Sequence, residues 1–364
     1  MKRRTFLAGL AAAGVTGCTK QADQPVAEKQ PQETFKWKMV TTWPPGFPGL
    51  GTGAADLAAL ITEASGGRIA VHVYGAGELV PAFEVFDAVS RGTAQIGHGA
   101  GYYWKGKLPA AQFFSATPFG MNAQERNAWM FYGGGEDLWR EVYEPFNLVP
   151  AAAGNTGVQM GGWFNKEINS LADLQGLKMR IPGLGGEVLK RAGGTPVNLP
   201  GGEIFTALQT GSIDATEWVG PYNDLAFGLY QAASYYYYPG WHEPGTCLEA
   251  IVNRGAFDAL PADLQRIVLM ACRAVNSNML AEYTARNHQA LQTLIDEHGV
   301  DLRRFPDEVL ARLKKLSTEV LEDVAASDAL AAKVYESQLQ FQAQASRWHD
   351  ISEFAYYRAR ELKE

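Results

Sequence analysis

Two stretches of this chain, 35–98 and 158–219, each run through the same cycle of strand-like and helix-like segments, and that repetition most narrows the fold. Phe35-Lys36-Trp37-Lys38-Met39-Val40 alternates apolar and polar side chains, as a strand with one buried face requires. A Pro/Gly-rich loop follows, then a segment near 53–64 with Leu57, Leu60 and Ile61 on one helical face. Arg68–Tyr74 alternates again, residues 81–91 predict a helix ended by Gly92, and Gln95–His98 predicts a third strand. The second stretch predicts strands at Met160–Phe164, Gly176–Ile181 and Ala215–Val219, with Pro182-Gly183 stopping the middle one. Between them fall a helical turn over 171–174 and helices at Gly186–Ala192 and Glu203–Gln209. Ala250–Asn253 reads as a strand returning to the first sheet. This order calls for sheets with parallel strands covered by helices. The expected class is α/β, two lobes with mixed sheets joined by crossing strands, and a cleft between lobes is where a small ligand binds.

From Pro261 onward there is little strand signal and much helical periodicity. Leu313, Leu316, Val320 and Val324 share one helical face, and Phe341, Ala345, Trp348 and Ala355 suggest another long helix. Such faces cover either their own lobes or a second subunit, and the sequence leaves both open. The expected boundaries are 35–157 for lobe 1, 158–249 for lobe 2, 250–310 for a return to lobe 1 with helices, and 311–364 for the C-terminal helices.

The N-terminus carries a different message. Lys2, Arg3 and Arg4 precede an apolar run from Phe6 to Val15, too short to cross a hydrocarbon core of about 30 Å, so residues 1–17 read as a signal peptide. Arg3-Arg4-Thr5-Phe6-Leu7 resembles a twin-arginine export signal. Val15-Thr16-Gly17-Cys18 resembles a lipobox, in which Cys18 is lipidated; the other reading is an ordinary secretory signal with an incidental cysteine. Both place the mature chain outside the cytoplasm. Residues 18–34, rich in Gln, Lys, Glu and Pro, read as a solvated tether.

Without residues 1–17 the chain loses Lys2, Arg3 and Arg4, so its formal net charge becomes −10 rather than −7. An acidic body has no basic stripe to neutralise phosphates, which argues against a nucleic-acid partner. With Cys18 set aside, Cys247 and Cys272 remain, either joined in one disulfide or buried as free thiols. No H-E-x-x-H, G-x-S-x-G or C-x-x-C motif occurs, and the six histidines are scattered. Gly101–Lys107 mimics a phosphate loop, but Leu108 replaces the required hydroxyl residue and Tyr102, Tyr103 and Trp104 block backbone approach. Binding is therefore favoured over catalysis.

Three segments combine glycine, aromatic and polar residues at strand ends: Gly99–Trp104, Gly154–Trp163 and Glu217–Tyr222. Glycine lets backbone approach a ligand, and aromatic rings exclude water. Together they suggest a lined pocket.

Gln175–Pro182, with Arg180 inside it, and Ala207–Ala215 resemble the signature of the extracytoplasmic receptors of TRAP transporters, a resemblance spanning roughly residues 35–350. Gly154–Trp163, Gly201-Gly202-Glu203 and Tyr235–Trp241 are similar to the branch holding a sodium-dependent α-keto acid receptor and a calcium-lactate receptor. The resemblance implies a two-lobed periplasmic-binding-protein-like fold that closes over its ligand. It implies that Arg180 clamps the ligand carboxylate, for which a planar guanidinium suits two parallel hydrogen bonds. It implies a Na+ or Ca2+ ion held by Gln159, Glu217 and the Trp218 carbonyl, with Glu243 able to complete the shell, because a hard cation wants several oxygens. Tyr102, Tyr103 and Asn155 are the remaining contact candidates, as donors to a carboxylate. Glu217 has a second reading, a buried partner of Arg180, and Glu243 another, a solvated loop residue.

The expected function is uptake of a small 2-oxo or 2-hydroxy monocarboxylate, handed to membrane-embedded TRAP transporter subunits. The competing readings are an extracytoplasmic enzyme acting on a keto acid and a binding protein serving a sensor kinase.

Overall fold

The computed structural model describes residues 33–363; the expectations placed on the leader, on Cys18 and on residues 19–32 of the tether lie outside them. Among the described residues eleven strands form two sheets: β1 (Phe35–Thr41), β2 (Ile69–Tyr74), β3 (Ile96–Gly99), β4 (Leu148–Asn155), β5 (Gly162–Phe164), β6 (Lys178–Arg180), β7 (Thr195–Val197), β8 (Ala215–Thr216), β9 (Tyr235–Tyr238), β10 (Cys247–Asn253) and β11 (Asp301–Arg304). The first sheet runs β2-β1-β3-β10-β4 and the second β11-β9-β5-β8-β6-β7. In the first, β1 lies parallel to β2 and β3, while β10 runs antiparallel to β3 and β4. In the second, β5 is antiparallel to β8 and β9, and the other pairs are parallel. Both sheets are mixed, as expected.

The alternation in β1 does what its pattern demands: Trp37 and Met39 are buried while Lys36 and Lys38 face solvent. The helix Leu50–Ala64 covers this sheet with Leu57 and Ile61, both 0% exposed. Each such side chain contributes on the order of 2 kcal/mol on burial. Between β3 and β4 the chain forms helices that the sequence did not announce, Ala111–Ser115, Ala123–Tyr132 and Gly135–Tyr143. The second of these starts in a capping box between Asn122 and Glu125.

Several expectations need correction. The strand read over Ala215–Val219 is only two residues long, because from Glu217 the chain leaves the ladder: Glu217 N donates to the Arg180 carbonyl at 3.1 Å and Val219 receives Met160 N at 3.0 Å. The helical C-terminal third contains a strand, β11, whose Asp-Leu-Arg-Arg sequence suits an exposed sheet edge better than a buried face. The helix read through Phe341 to Ala355 breaks at Ser352, giving Ala329–Ile351 and Glu353–Arg360. The alternative of a Cys247–Cys272 disulfide is not realised: both are buried free thiols, and burial pushes each up to about 12.

The chain passes between the sheets three times. Residues 156–161 lead from β4 to β5, residues 239–246 lead from β9 back to β10, and the helix Ala262–Asp296 leads towards β11. That helix has 35 residues, a length of roughly 52 Å at 1.5 Å per residue. It packs on β4, on Leu50–Ala64 and on the helix Pro221–Phe227, so it touches elements on both sides of the cleft. The first two crossings lie side by side: Gln159 N donates to Glu243 O at 3.1 Å, Gly240 N to Gln159 O at 2.9 Å, and Thr156 N to Thr246 O at 3.1 Å. A Cβ at Gly240 would stand 2.2 Å from the Gln159 carbonyl oxygen, so only glycine permits this approach.

Candidate functional site

Arg180 ends β6 and Glu217 follows β8, two adjacent parallel strands whose carboxyl ends open onto the cleft. Their side chains form an ion pair through Arg180 Nη1 and Glu217 Oε1, each only 1% exposed. Arg180 Nε donates to the Leu199 carbonyl at 3.1 Å, Nη1 also to the Glu217 carbonyl at 3.3 Å, and Nη2 to the Tyr103 hydroxyl at 3.3 Å. The Trp218 ring lies under the guanidinium at 5.1 Å. Burial works against the Arg180 charge, but Glu217 and the two tyrosines hold its pKa above the usual value. Burial likewise pushes the Tyr103 hydroxyl up.

The crossings supply the rest. Gln159 Nε2, with two hydrogens to give, lies 2.9 Å from Glu243 Oε2, 3.2 Å from Thr156 Oγ1 and 3.3 Å from Thr246 Oγ1, so these three acceptors share its donors. Thr246 Oγ1 donates to the same Glu243 oxygen at 2.6 Å. With its amide nitrogen so committed, Gln159 Oε1 has no partner, and neither has Glu217 Oε2. Buried acceptors are rarely left so. Burial, with the nearby Glu217 charge, pushes the Glu243 carboxyl up to about 8. The reading of Glu243 as a solvated loop residue is therefore wrong; it is 4% exposed. Glu217 does pair with Arg180, and its second oxygen remains open.

A nearly closed cavity of about 10 Å³ lies at this point, lined by Trp43, Tyr102, Tyr103, Gln159, Arg180 and Trp218 among others. Leu50, Val219 and Leu248 give it apolar wall. Glu217 and Glu243 sit one side chain back, against Arg180 and Gln159. Asn155 is not among the lining residues, where its neighbour Thr156 stands instead. Its Oδ1 accepts from Gly157 N at 2.9 Å and its Nδ2 is unpartnered. Tyr102 lines the cavity edge-on to Tyr103, with ring centroids 4.8 Å apart.

Sequence reasoning missed Trp43, Thr156, Thr246 and His242. Trp43 is fixed by donating its indole N–H to His98 Nδ1 at 2.8 Å; burial pushes His98 down to about 4, which keeps it a neutral acceptor. His242 Nε2 lies 3.5 Å from Glu217 Oε2. One ligand atom each from Glu217, His242 and Glu243 fall within 4.8 Å of one another. Its adjacency to Glu243 in Trp241-His242-Glu243-Pro244 was the available signal.

Comparison with known proteins places the chain in a family. The sequence pattern of the bacterial extracellular solute-binding protein family 7 (DctP) matches residues 39–328. A monocarboxylate 2-oxoacid-binding periplasmic protein of Nostoc sp. is 43% identical over 360 residues, 98% of each chain. A TRAP periplasmic solute binding protein of Pseudoalteromonas atlantica, solved with bound sodium and pyruvate, is 42% identical with a TM-score of 0.88, covering 91% of this chain and 100% of that one. Another from Colwellia psychrerythraea, solved with bound calcium and pyruvate, is 42% identical with a TM-score of 0.87, covering 90% and 100%. The family is one of solute receptors rather than enzymes, and its members work outside the cytoplasm. This chain belongs to the DctP family, the bacterial extracellular solute-binding proteins that serve as TRAP receptors.

Proposed function

We propose that the chain binds a small 2-oxo or 2-hydroxy monocarboxylate, pyruvate foremost, together with one Na+ or Ca2+ ion in the cleft, and delivers it to membrane-embedded TRAP transporter subunits. The observation that carries this reading is the pair of orphaned buried acceptors, Gln159 Oε1 and Glu217 Oε2, set against Arg180 on a small cavity. Amide, carboxylate and backbone oxygens are the ligands a hard cation takes, so the donor set fits: Gln159, Glu217 and the Trp218 carbonyl, with Glu243 beside them. Relatives that hold pyruvate with sodium or with calcium support the same pairing.

The bound ion supplies positive charge for the acid's carboxylate and its neighbouring oxygen. The rest is work for this chain's own residues. Arg180 receives the carboxylate with the donors that face the cavity. Trp43, Tyr102, Tyr103 and Trp218 keep water out, which strengthens every charge interaction inside. Leu50, Val219 and Leu248 meet the alkyl end, and the tightness of this nearly closed cavity favours short chains. Asn155 Nδ2 is a spare donor next to this wall. Closure of the lobes over the acid is a population shift driven by contacts made only when closed.

Cys18 carries the lipid that holds the receptor at the membrane; among the described residues no helix is long and apolar enough to cross it. A second copy of the chain covers the C-terminal helices, where Trp348 (61% exposed), Ile351 (73%) and Tyr357 (52%) face outward.

Calorimetry of the mature chain with pyruvate, lactate, longer 2-oxo acids and acetate, each with Na+, Ca2+ or a chelator, tests the reading. Heat with 2-oxo or 2-hydroxy acids, lost in chelator and sodium-free buffer, is expected. Absence of heat with any acid in the presence of either ion overturns it, and consumption of the acid would turn the site into an enzyme's.

A further inference from the structure

His242 has no part in the reading above, yet its position asks for one. The side chain is 1% exposed, and neither Nδ1 nor Nε2 has a hydrogen-bond partner. A buried imidazole left in this state loses the hydration of both nitrogens without replacement, a cost that native structures rarely carry. The ring is held in place: Trp241 packs edge-on at 5.3 Å, and Gly185 lies so close that a Cβ there would stand 2.9 Å from His242 Cβ.

An open group faces it: Glu217 Oε2, which also lacks a partner, lies 3.5 Å from Nε2. That separation is too long for a good hydrogen bond between them. It is close to the spacing of two atoms that share one cation: tetrahedral bonds of about 2.0 Å set their ends about 3.3 Å apart. Glu243 brings a third ligand atom inside the same 4.8 Å span. An imidazole is a poor partner for Na+ or Ca2+, which prefer oxygen, and a good one for divalent transition metals.

We propose that His242 makes this a mixed nitrogen–oxygen site, so that the cleft also takes a divalent transition cation of the Mn2+, Co2+ or Zn2+ kind beside the 2-oxo acid. The proposal rests on the reading that a cation sits among Gln159, Glu217 and Glu243. It makes His242 the residue that sets which metals the receptor accepts.

The test uses the mature chain stripped of metal. Zn2+ is titrated with pyruvate present, then Ca2+ is titrated alone and against Zn2+. Zn2+ binding that Ca2+ competes away is expected, which separates this site from the exposed His72, His288 and His298. In His242→Asn the Zn2+ affinity is expected to fall at least tenfold more than the Ca2+ affinity, in the range typical of losing one metal-site group. Equal falls, or no fall, overturn the proposal. Should that variant fold poorly, His242→Gln repeats the comparison. Electron spin-echo spectra of Mn2+ bound to the unaltered chain give an independent readout, since an imidazole ligand adds nitrogen modulation and its absence overturns the proposal. If pyruvate binds the unaltered chain neither with Ca2+ nor with Na+, the receptor reading falls; if it binds with either while Zn2+ does not compete, only the role of His242 falls.

Discussion

The guanidinium of Arg180 and the carboxylate of Glu217 meet as an ion pair in which each side chain is only 1% exposed, yet the second oxygen of Glu217 has no partner. Removing one member of such a pair leaves the other charged and dry. Arg180→Ala is therefore expected to cost about 3–5 kcal/mol of stability in the unliganded chain. Acid binding should weaken at least a hundredfold, or about 3 kcal/mol. Added Ca2+ should recover part of the lost melting temperature, because Glu217 regains a positive neighbour. Melting curves with and without Ca2+, beside calorimetry, check all three.

Ion and acid should assist each other. A guanidinium has five N–H donors. Those of Arg180 already reach the Leu199 carbonyl, the Glu217 carbonyl and carboxylate, and the Tyr103 hydroxyl. Two parallel hydrogen bonds to a ligand need Glu217 to yield, and a cation at Glu217 supplies the reason for it to do so. The expected coupling is about 1–3 kcal/mol, and it must be reciprocal. Pyruvate titrations at zero and saturating Ca2+, then Ca2+ titrations with and without pyruvate, should give the same factor.

Glu243→Gln tests the charge balance. Glu217 and Glu243 face one guanidinium across the buried site. With Glu243 ionised, as above about pH 8, a divalent ion with a monoanionic acid cancels that total; with Glu243 protonated, a monovalent ion does. Loss of one carboxylate is expected to weaken Ca2+ at least tenfold, roughly 1.4 kcal/mol, and Na+ less. Competition between the two ions on the variant reads the change in preference.

Away from the cleft, Glu249 on β10 gives a pH signature. Its oxygens accept from the Trp104 indole and, at 2.8 Å, from the Tyr143 hydroxyl; burial pushes it up to about 7. A carboxyl with a raised folded pKa holds its proton in the folded chain after the unfolded chain has lost it. Its contribution is fully present below about pH 4.5 and declines as pH rises to about 7, by on the order of 3 kcal/mol. Glu249→Gln, which mimics the protonated form, should flatten the fall in melting temperature over that window relative to the unaltered chain. An unchanged slope would assign the effect to other groups.

Cys247 and Cys272 should behave as inert apolar residues. Both are buried with thiols pushed up to about 12. A thiol-specific reagent is expected to label neither until the chain unfolds, and reductant should leave the melting temperature unchanged.

What the sequence made legible follows from chemistry that is local. Strand β1 could be read because Lys36 and Lys38 alternate with Trp37 and Met39, and Arg180 because its flanking segment resembles a known signature. Strand β4 escaped because Leu-Val-Pro-Ala-Ala-Ala-Gly-Asn is buried throughout, so it shows no alternation, and its Pro, Ala, Gly and Asn residues are poor strand formers. Strand β11 escaped because charged residues serve an edge as well as a loop. The site divided the same way. Gln159, Glu217 and Tyr103 were named from segments that end strands, and the structure brings them together. Trp43 and His98 were not, since their hydrogen bond joins positions 55 residues apart and neither stands in a recognisable segment. His242 was passed over because a lone histidine gains meaning only from neighbours that folding brings to it.

The paired crossings carry one more consequence. Gln159 and Glu243 belong to two of the three passages between the sheets, not to either sheet's own rim. An occupant there grips the axle of the molecule instead of its jaws. Loading that axle is therefore expected to act on the angle between the halves, the one feature of the molecule a membrane partner could read without touching the cargo.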